Sequence, residues 1–421
     1  MATSRALVLA AVLLAHTSAL GIAQELSPRS GGDQYKSLSD GYWEARSDLR
    51  KAGLNLDLWY TQFYQGVVSG AGSRQWQSGG KGDVIATFDA SKFGLWQGLY
   101  INVHAELLTG KDANTQGDGS LIPLNTALAF PRLGGHEQDV SLIVTQNFNE
   151  RVSLSFGKFN MLDAAAKTPL IGGGGINTFM NTALAAPISG VTPPYLLGGL
   201  LTVKTDPVIL GLLVYDPRNA QDREVIEHPF AKGATTSLSL TFPVQIAGLT
   251  GYYGVRGVYS TKEGTNLADV PALLLPPAAQ KFIGTKQGFW FVSASFQQYL
   301  VQSATNPAEG WGLFGQIAMS DGNPNPIGKS LFFGLGGTGF IPGRSLDLWG
   351  IGYFNTYLSD VLVDGLSGLG FNFRNEEGIE AYYNIAITPW FRLTADVQVI
   401  QPHIGTLPVA VVAALRSQIK F

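Results

Sequence analysis

Over much of its length this chain alternates apolar and polar residues with a period of two. In 99–107, Leu99, Ile101, Val103, Ala105 and Leu107 share one face, and Tyr100, Asn102, His104 and Glu106 the other. In 379–387, Ile379, Ala381, Tyr383, Ile385 and Ile387 oppose Glu380, Tyr382, Asn384 and Ala386. In 392–399, Leu393, Ala395, Val397 and Val399 oppose Arg392, Thr394, Asp396 and Gln398. This is the pattern of strands with one apolar and one wet face. Turn signals such as Asn375-Glu376 and Thr388-Pro389 separate runs of about ten residues, the length of a tilted membrane strand.

The N-terminus directs the same chain to export. Arg5 precedes an apolar core, Ala6 to Ala15, and small residues follow, with Gly21 and Ala23 before a cut at Gln24. Residues 1–23 read as a secretory signal peptide, too short to span a bilayer. Beyond them no run of about 18 uncharged apolar residues occurs. A membrane form of the mature chain must then be a closed barrel, because only helices and closed barrels satisfy their backbone in lipid. Composition agrees: Gly is 52 of 421 residues, aromatics are 11% and charged residues only 14%. A net charge of −3 leaves no footprint for nucleic acid, and the absence of Cys rules out disulfide and thiol chemistry.

The expected fold is all-β: a transmembrane antiparallel β-barrel of about sixteen strands over 54–421, with a polar segment and short helix over 24–53. Ser39 and Asp40 cap a helix from about Gly41 to Ala52, which Gly53 stops. Tyr42, Arg46 and Arg50 alternate with acids there, so the helix reads as solvated. Sixteen or seventeen strand candidates can be counted along the chain. Since bacterial barrels have even strand numbers, the weak candidate Leu331 to Leu335 is assigned to a loop. Segments 110–137 and 161–197, rich in Gly, Pro and Asn, are long loops, one of which is expected to fold inward and narrow a channel. The last strand sets Val409, Val411, Ala413, Leu415, Ile419 and the terminal Phe421 opposite Arg416, Gln418 and Lys420.

Three segments carry a family resemblance: GWGLFGQIAMSDGNPNPI (310–327), GLGGTGFIPGRSLDLWGIGYF (334–354) and EEGIEAYYNIAITPWFRLTADVQVIQP (376–402), with the terminal RSQIKF. The chain resembles the carbohydrate-selective porins of the OprB family, most strongly over 310–421 and more weakly over 40–58 and near 157–159. The resemblance implies a sixteen-stranded barrel in a Gram-negative outer membrane that lets monosaccharides, and sometimes other small solutes, diffuse inward. It also implies a monomer or homotrimer whose partners are small sugars and outer-membrane lipid.

A pore favouring sugars needs aromatic surfaces for C–H faces and charged or polar groups for hydroxyls. Lumen-facing parity offers Tyr100, Glu106, Glu380, Tyr382, Arg392, Asp396 and Arg416, and the turn Ile341-Pro342-Gly343-Arg344 offers Arg344. Each has a plainer reading. The strand residues would solvate any polar lumen, and Arg344 would serve its turn. Gly334 to Gly339 fits G-x-G-x-x-G, but Phe340, Ile341 and Pro342 follow where a helix is required, so no cofactor is expected. The histidines at 16, 104, 136, 228 and 403 are scattered and suggest no metal set, and no catalytic motif stands out. The competing readings are a general porin without sugar selectivity, a barrel enzyme of the outer membrane, and a secreted glycan-binding β-protein.

Overall fold

The computed structural model of the chain describes residues 37–39, 44–116, 118–274 and 282–421. The expected signal peptide 1–23, and Asp40 with the first turn of the expected helix, lie outside them. Sixteen strands form one closed barrel in which every strand pairs antiparallel with its chain neighbours. They are β1 (Leu54–Ser69), β2 (Gln77–Asp89), β3 (Leu99–Gly110), β4 (Gln138–Asn147), β5 (Val152–Asn160), β6 (Tyr195–Lys204), β7 (Ile209–Tyr215) and β8 (Thr235–Ile246). The second half comprises β9 (Leu249–Thr265), β10 (Thr285–Gln302), β11 (Gly310–Ser320), β12 (Ile327–Thr338), β13 (Leu348–Leu358), β14 (Glu376–Thr388), β15 (Phe391–Gln401) and β16 (Ala410–Lys420). No helix among the described residues is long and apolar enough to cross a membrane.

The alternation sorts as a membrane barrel requires. On β14, Ile379, Ala381, Ile385 and Ile387 are exposed, while Glu380, Tyr382, Asn384 and Ala386 are buried. On β15, Leu393, Ala395, Val397 and Val399 point outward, while Arg392, Thr394, Asp396 and Gln398 point into the lumen and are buried. An outward apolar band over an inward polar wall is stable when lipid surrounds the barrel. Exposed aromatics stand in or beside the turns of one rim, among them Phe93, Trp96, Phe148, Phe340 and Phe421. Their rings suit the headgroup boundary. That rim carries the short turns 148–151, 205–208, 247–248 and 389–390, and the opposite rim carries 111–137, 161–194, 216–234 and 359–375. Short turns mark the periplasmic end of such a barrel and long ones its outer end.

Two details differ from the sequence reading. Leu331 to Leu335 is not a loop but the centre of β12, paired with β11 and β13. Its alternation is blurred because Phe332, which faces the lumen, meets an apolar cluster there instead of water. The helix, described over Glu44–Lys51 (α1), is not simply solvated. Arg46 is buried and donates to Ser37 Oγ, to Asp57 Oδ1 at 3.0 Å and to the main-chain carbonyl of Phe421. Lys420 adds an ion pair to Asp57 at 3.2 Å. The helix therefore latches the seam where β1 pairs β16, from Trp59↔Lys420 to Ser69↔Val411.

Candidate permeation pathway

Two outer loops, 111–137 and 161–194, turn into the lumen. They carry the short helices α2 (Thr126–Leu133), α3 (Met161–Ala165) and α4 (Thr182–Ala185). Their apolar side chains fuse with lumen-facing ones into a buried cluster that includes Ile122, Leu124, Phe179, Leu184, Phe314, Phe354 and Tyr382. The Phe179 ring meets Tyr382 edge-on at 4.9 Å and Phe314 at 5.6 Å. The wall beneath is bare glycine: a Cβ on Gly350 would lie 2.8 Å from Phe179 Cζ, and one on Gly352 3.0 Å from Leu184 Cδ1. Gly334 and Gly336, from the rejected dinucleotide pattern, pair across strands with Gly352 and Gly350. Those glycines let a loop lie against the wall.

Polar side chains of β14, β15 and β16 hold the loops' backbone. Glu380 accepts from the N–H groups of Met180 and Asn181. Asn181 donates to Gln398 at 3.1 Å, and Gln398 donates to the carbonyl of Leu124 at 3.0 Å and to Asp396 at 3.2 Å. Arg416 donates to the carbonyls of Gly175 and Thr178, each at 2.9 Å. Asn384 donates to the carbonyl of Asn177 and accepts from Arg392, whose other branch reaches the carbonyl of Leu346. Glu376 accepts from the N–H groups of Leu121 and Ile122. Charge-assisted bonds in a dry setting are strong, so these side chains fix where the loops sit.

A second anchor lies on β2, β3, β5 and β6. Glu106 accepts from Lys81 at 2.7 Å, Asn160 at 2.7 Å and Tyr195 at 2.8 Å. His104 bridges Asp83 and Asp163 of α3, each at 2.9 Å. Donor atoms of Asp83, His104 and Glu106 lie within 4.8 Å of one another. The Lys81 ammonium already bonds both carboxylates, so the arrangement does not call for a metal ion.

Of the eight residues expected to line the pore, Glu380, Tyr382, Asp396 and Arg416 converge beneath the loops, with Arg392 nearer the short turns. Glu106 belongs to the second anchor. Tyr100 sits apart, near the short-turn end of β3. Arg344 sits in the turn 339–347, where it clasps Asp347 at 2.8 and 2.9 Å and reaches the carbonyl of Ala386. The Tyr382 hydroxyl has no hydrogen-bond partner among the described residues.

The uncovered part of the lumen wall lies elsewhere. Ser239, Thr241, Ser293, Ser295, Gln316 and Ser330 on β8, β10, β11 and β12 share the inward parity; Ser295 is exposed and the others are half-buried. Among them Arg256 of β9 stands cross-strand from Ser239 and Ser293. It donates to Ser237 Oγ at 2.9 Å and to Thr192 Oγ1 at 3.2 Å, and it forms no salt bridge among the described residues. Lys167, in the inward loop, likewise forms no salt bridge among the described residues. Burial lowers its pKa to about 8 against the opposing pull of Asp163. Sequence reasoning missed Arg256 and Glu376, although the signal was present. Tyr252, Gly254, Arg256, Val258 and Ser260 alternate with Tyr253, Val255, Gly257 and Tyr259, and Glu376 shares the parity of Glu380.

Comparison with known proteins agrees with this architecture. A family model described as carbohydrate-selective porin, OprB family, matches residues 74–421. The high-pH structure of Pseudomonas putida OprB superposes with a TM-score of 0.79 at 17% identity, covering 93% of this chain and 100% of that one. Its low-pH structure gives a TM-score of 0.52 at 16% identity with the same coverage. No curated protein sequence matches the chain.

Proposed function

Because the chain belongs to the carbohydrate-selective porins of the OprB family, we propose that its sugar path runs along the uncovered hydroxyl face of β8 to β12, past Arg256. The protein is an outer-membrane porin for carbohydrates, a channel and not an enzyme. Solutes cross down their own gradient, so the chain has only to supply a wet passage of suitable width and weak contacts that still allow exit. The observation that carries the path is the partly exposed strip of serine, threonine and glutamine side chains around a guanidinium that has no acid partner among the described residues. Hydroxyls and amides exchange hydrogen bonds with a sugar at little net cost, and a guanidinium can donate to two hydroxyls at once.

In this reading Glu106, Glu380, Tyr382, Arg392, Asp396 and Arg416 act on sugar indirectly. Glu380 and Arg416 hold the backbone of the inward loop directly, and Asp396 braces the Gln398 that holds both loops. Tyr382 packs against Phe179, and Glu106 and Arg392 brace the wall beside them, so together they set the width of the passage. Tyr100 and Arg344 border the periplasmic end. Monosaccharides are the expected cargo, and the barrel works as a monomer or a homotrimer. The test is liposome swelling with refolded mature protein, comparing glucose, a disaccharide, an uncharged amino acid and a small anion. Glucose should enter faster than size-matched non-sugars, and Arg256→Ala should reduce that preference. Entry that follows size alone, with Arg256→Ala no different, would make the protein a general diffusion porin.

A further inference from the structure

The outward face carries one feature that a plain barrel wall would lack. Across β8 to β12 lies a hollow of about 720 Å³. Its apolar lining includes Leu238, Val255, Val292, Ala294 and Ile317, all outward-facing. The floor is deep because Gly257 has no side chain, and a Cβ placed there would meet nothing within 4 Å. From the middle of β8 the hollow climbs obliquely to the outer rim, ending at Lys329 and Tyr357, which are register partners near the outer ends of β12 and β13. Met319 of β11 pairs with Lys329 from the other side. Lys329 is exposed and forms no salt bridge among the described residues.

We propose that this hollow seats an acyl chain of an outer-leaflet lipid whose anionic phosphate headgroup lies against Lys329. A void in a lipid-facing wall forfeits dispersion contacts on one side unless something flexible fills it. An ammonium at the membrane boundary is costly unless it reaches water or an anion, and anionic headgroups attract basic residues at that depth. One end of the hollow is apolar and lies near mid-membrane, and the other is cationic and lies at the rim. A single lipid has that polarity and that direction. Tyr357 beside Lys329 adds a hydroxyl and a ring at headgroup level.

The experiment uses full-length refolded mature barrel, loaded with phosphatidylglycerol or phosphatidylcholine and examined by native mass spectrometry as detergent strips the lipid. Wild-type protein should retain one phosphatidylglycerol after the rest are lost, and phosphatidylcholine less well. Lys329→Gln should weaken phosphatidylglycerol retention about fivefold and remove the headgroup preference. Gly257→Leu, which fills the floor, should weaken retention of both lipids. Conductance should be unchanged in both variants, since neither residue faces the lumen, and this shows that they fold. Equal retention by wild type and Gly257→Leu would overturn the proposal. So would a loss of trimers in Gly257→Leu with no change in bound lipid, because the hollow would then be a contact between copies.

Discussion

Glu380→Ala probes the loop anchor most directly. The side chain accepts from two buried backbone N–H groups, those of Met180 and Asn181. Each N–H left unpaired costs about 1–3 kcal/mol, so the gross loss is about 2–6 kcal/mol. Removing a buried carboxyl also returns part of its own desolvation cost, which places the expected value near 3 kcal/mol. The loop should remain seated on average. Phe179 and Leu184 stay buried against β13, at about 1.5–3 kcal/mol each, and Arg416 keeps its two carbonyl partners. About 3 kcal/mol nevertheless multiplies the unseated population roughly a hundredfold, since each 1.4 kcal/mol is tenfold. Single-channel recording in planar bilayers should then show brief excursions to higher conductance, about a hundred times more frequent than in wild type. Glu380→Gln keeps one acceptor oxygen and should fall between. If excursions in Glu380→Ala are no more frequent than in wild type while the protein melts normally, the loop does not depend on this carboxyl and the reasoning fails.

Gly350→Val should cost about 1–3 kcal/mol, because its Cβ would fall 2.7 Å from Tyr382 and 2.8 Å from Phe179, and swelling assays should show a lumen altered for disaccharides more than for glucose. Lys167 is cationic below about pH 8 and neutral above it, so reversal potentials in a salt gradient should show anion preference falling between pH 7 and 9. Lys167→Met should abolish that step, and an unchanged step in the variant would place its origin elsewhere. Burial pushes the Asp347 carboxyl up, but Arg344, the N–H of Ala386 and the Tyr383 hydroxyl outweigh it and hold the group below the usual carboxylate range. Its contribution is therefore full above the unfolded value of about 3.9 and fades as pH falls through the lower folded value. Asp347→Asn should lower the melting temperature at pH 7 but show a smaller further drop at pH 3 than wild type.

The barrel was legible because membrane strands write both of their environments into the sequence. Ile379 to Ile387 and Leu393 to Val399 show which face meets lipid with no help from tertiary contacts. The pattern blurs where the lumen itself is apolar. Phe332 faces inward yet meets Phe314 and the loop cluster, so Leu331 to Leu335 lost its alternation and read as a loop. Parity also put Glu380, Asp396 and Arg416 on one face, and in the structure all three are buried on the inward side of the barrel. What they touch there depends on 111–137 and 161–194, whose path follows from the glycine floor at Gly350 and Gly352 and from backbone groups that no residue pattern encodes. Arg46 failed differently. Its spacing on α1 suits a solvated helix, and only closure of the barrel brings Phe421 to it across 375 residues of chain.

That distance governs how the barrel can be made. The seam between β1 and β16 unites segments that are far apart in sequence, and each of them, before closure, is the bare edge of an open sheet. All the other strand pairs form between chain neighbours and can zip locally, whereas the seam has to wait for every one of them. The half-made barrel is consequently its most vulnerable form, with two exposed edges ready to pair with another chain. Arg46 and Asp57, near the start of the barrel, meet Lys420 and Phe421 at its finish, so the latch can engage only when the strand count is complete. Those contacts are therefore complete only in the fully closed barrel, where β16 has reached β1.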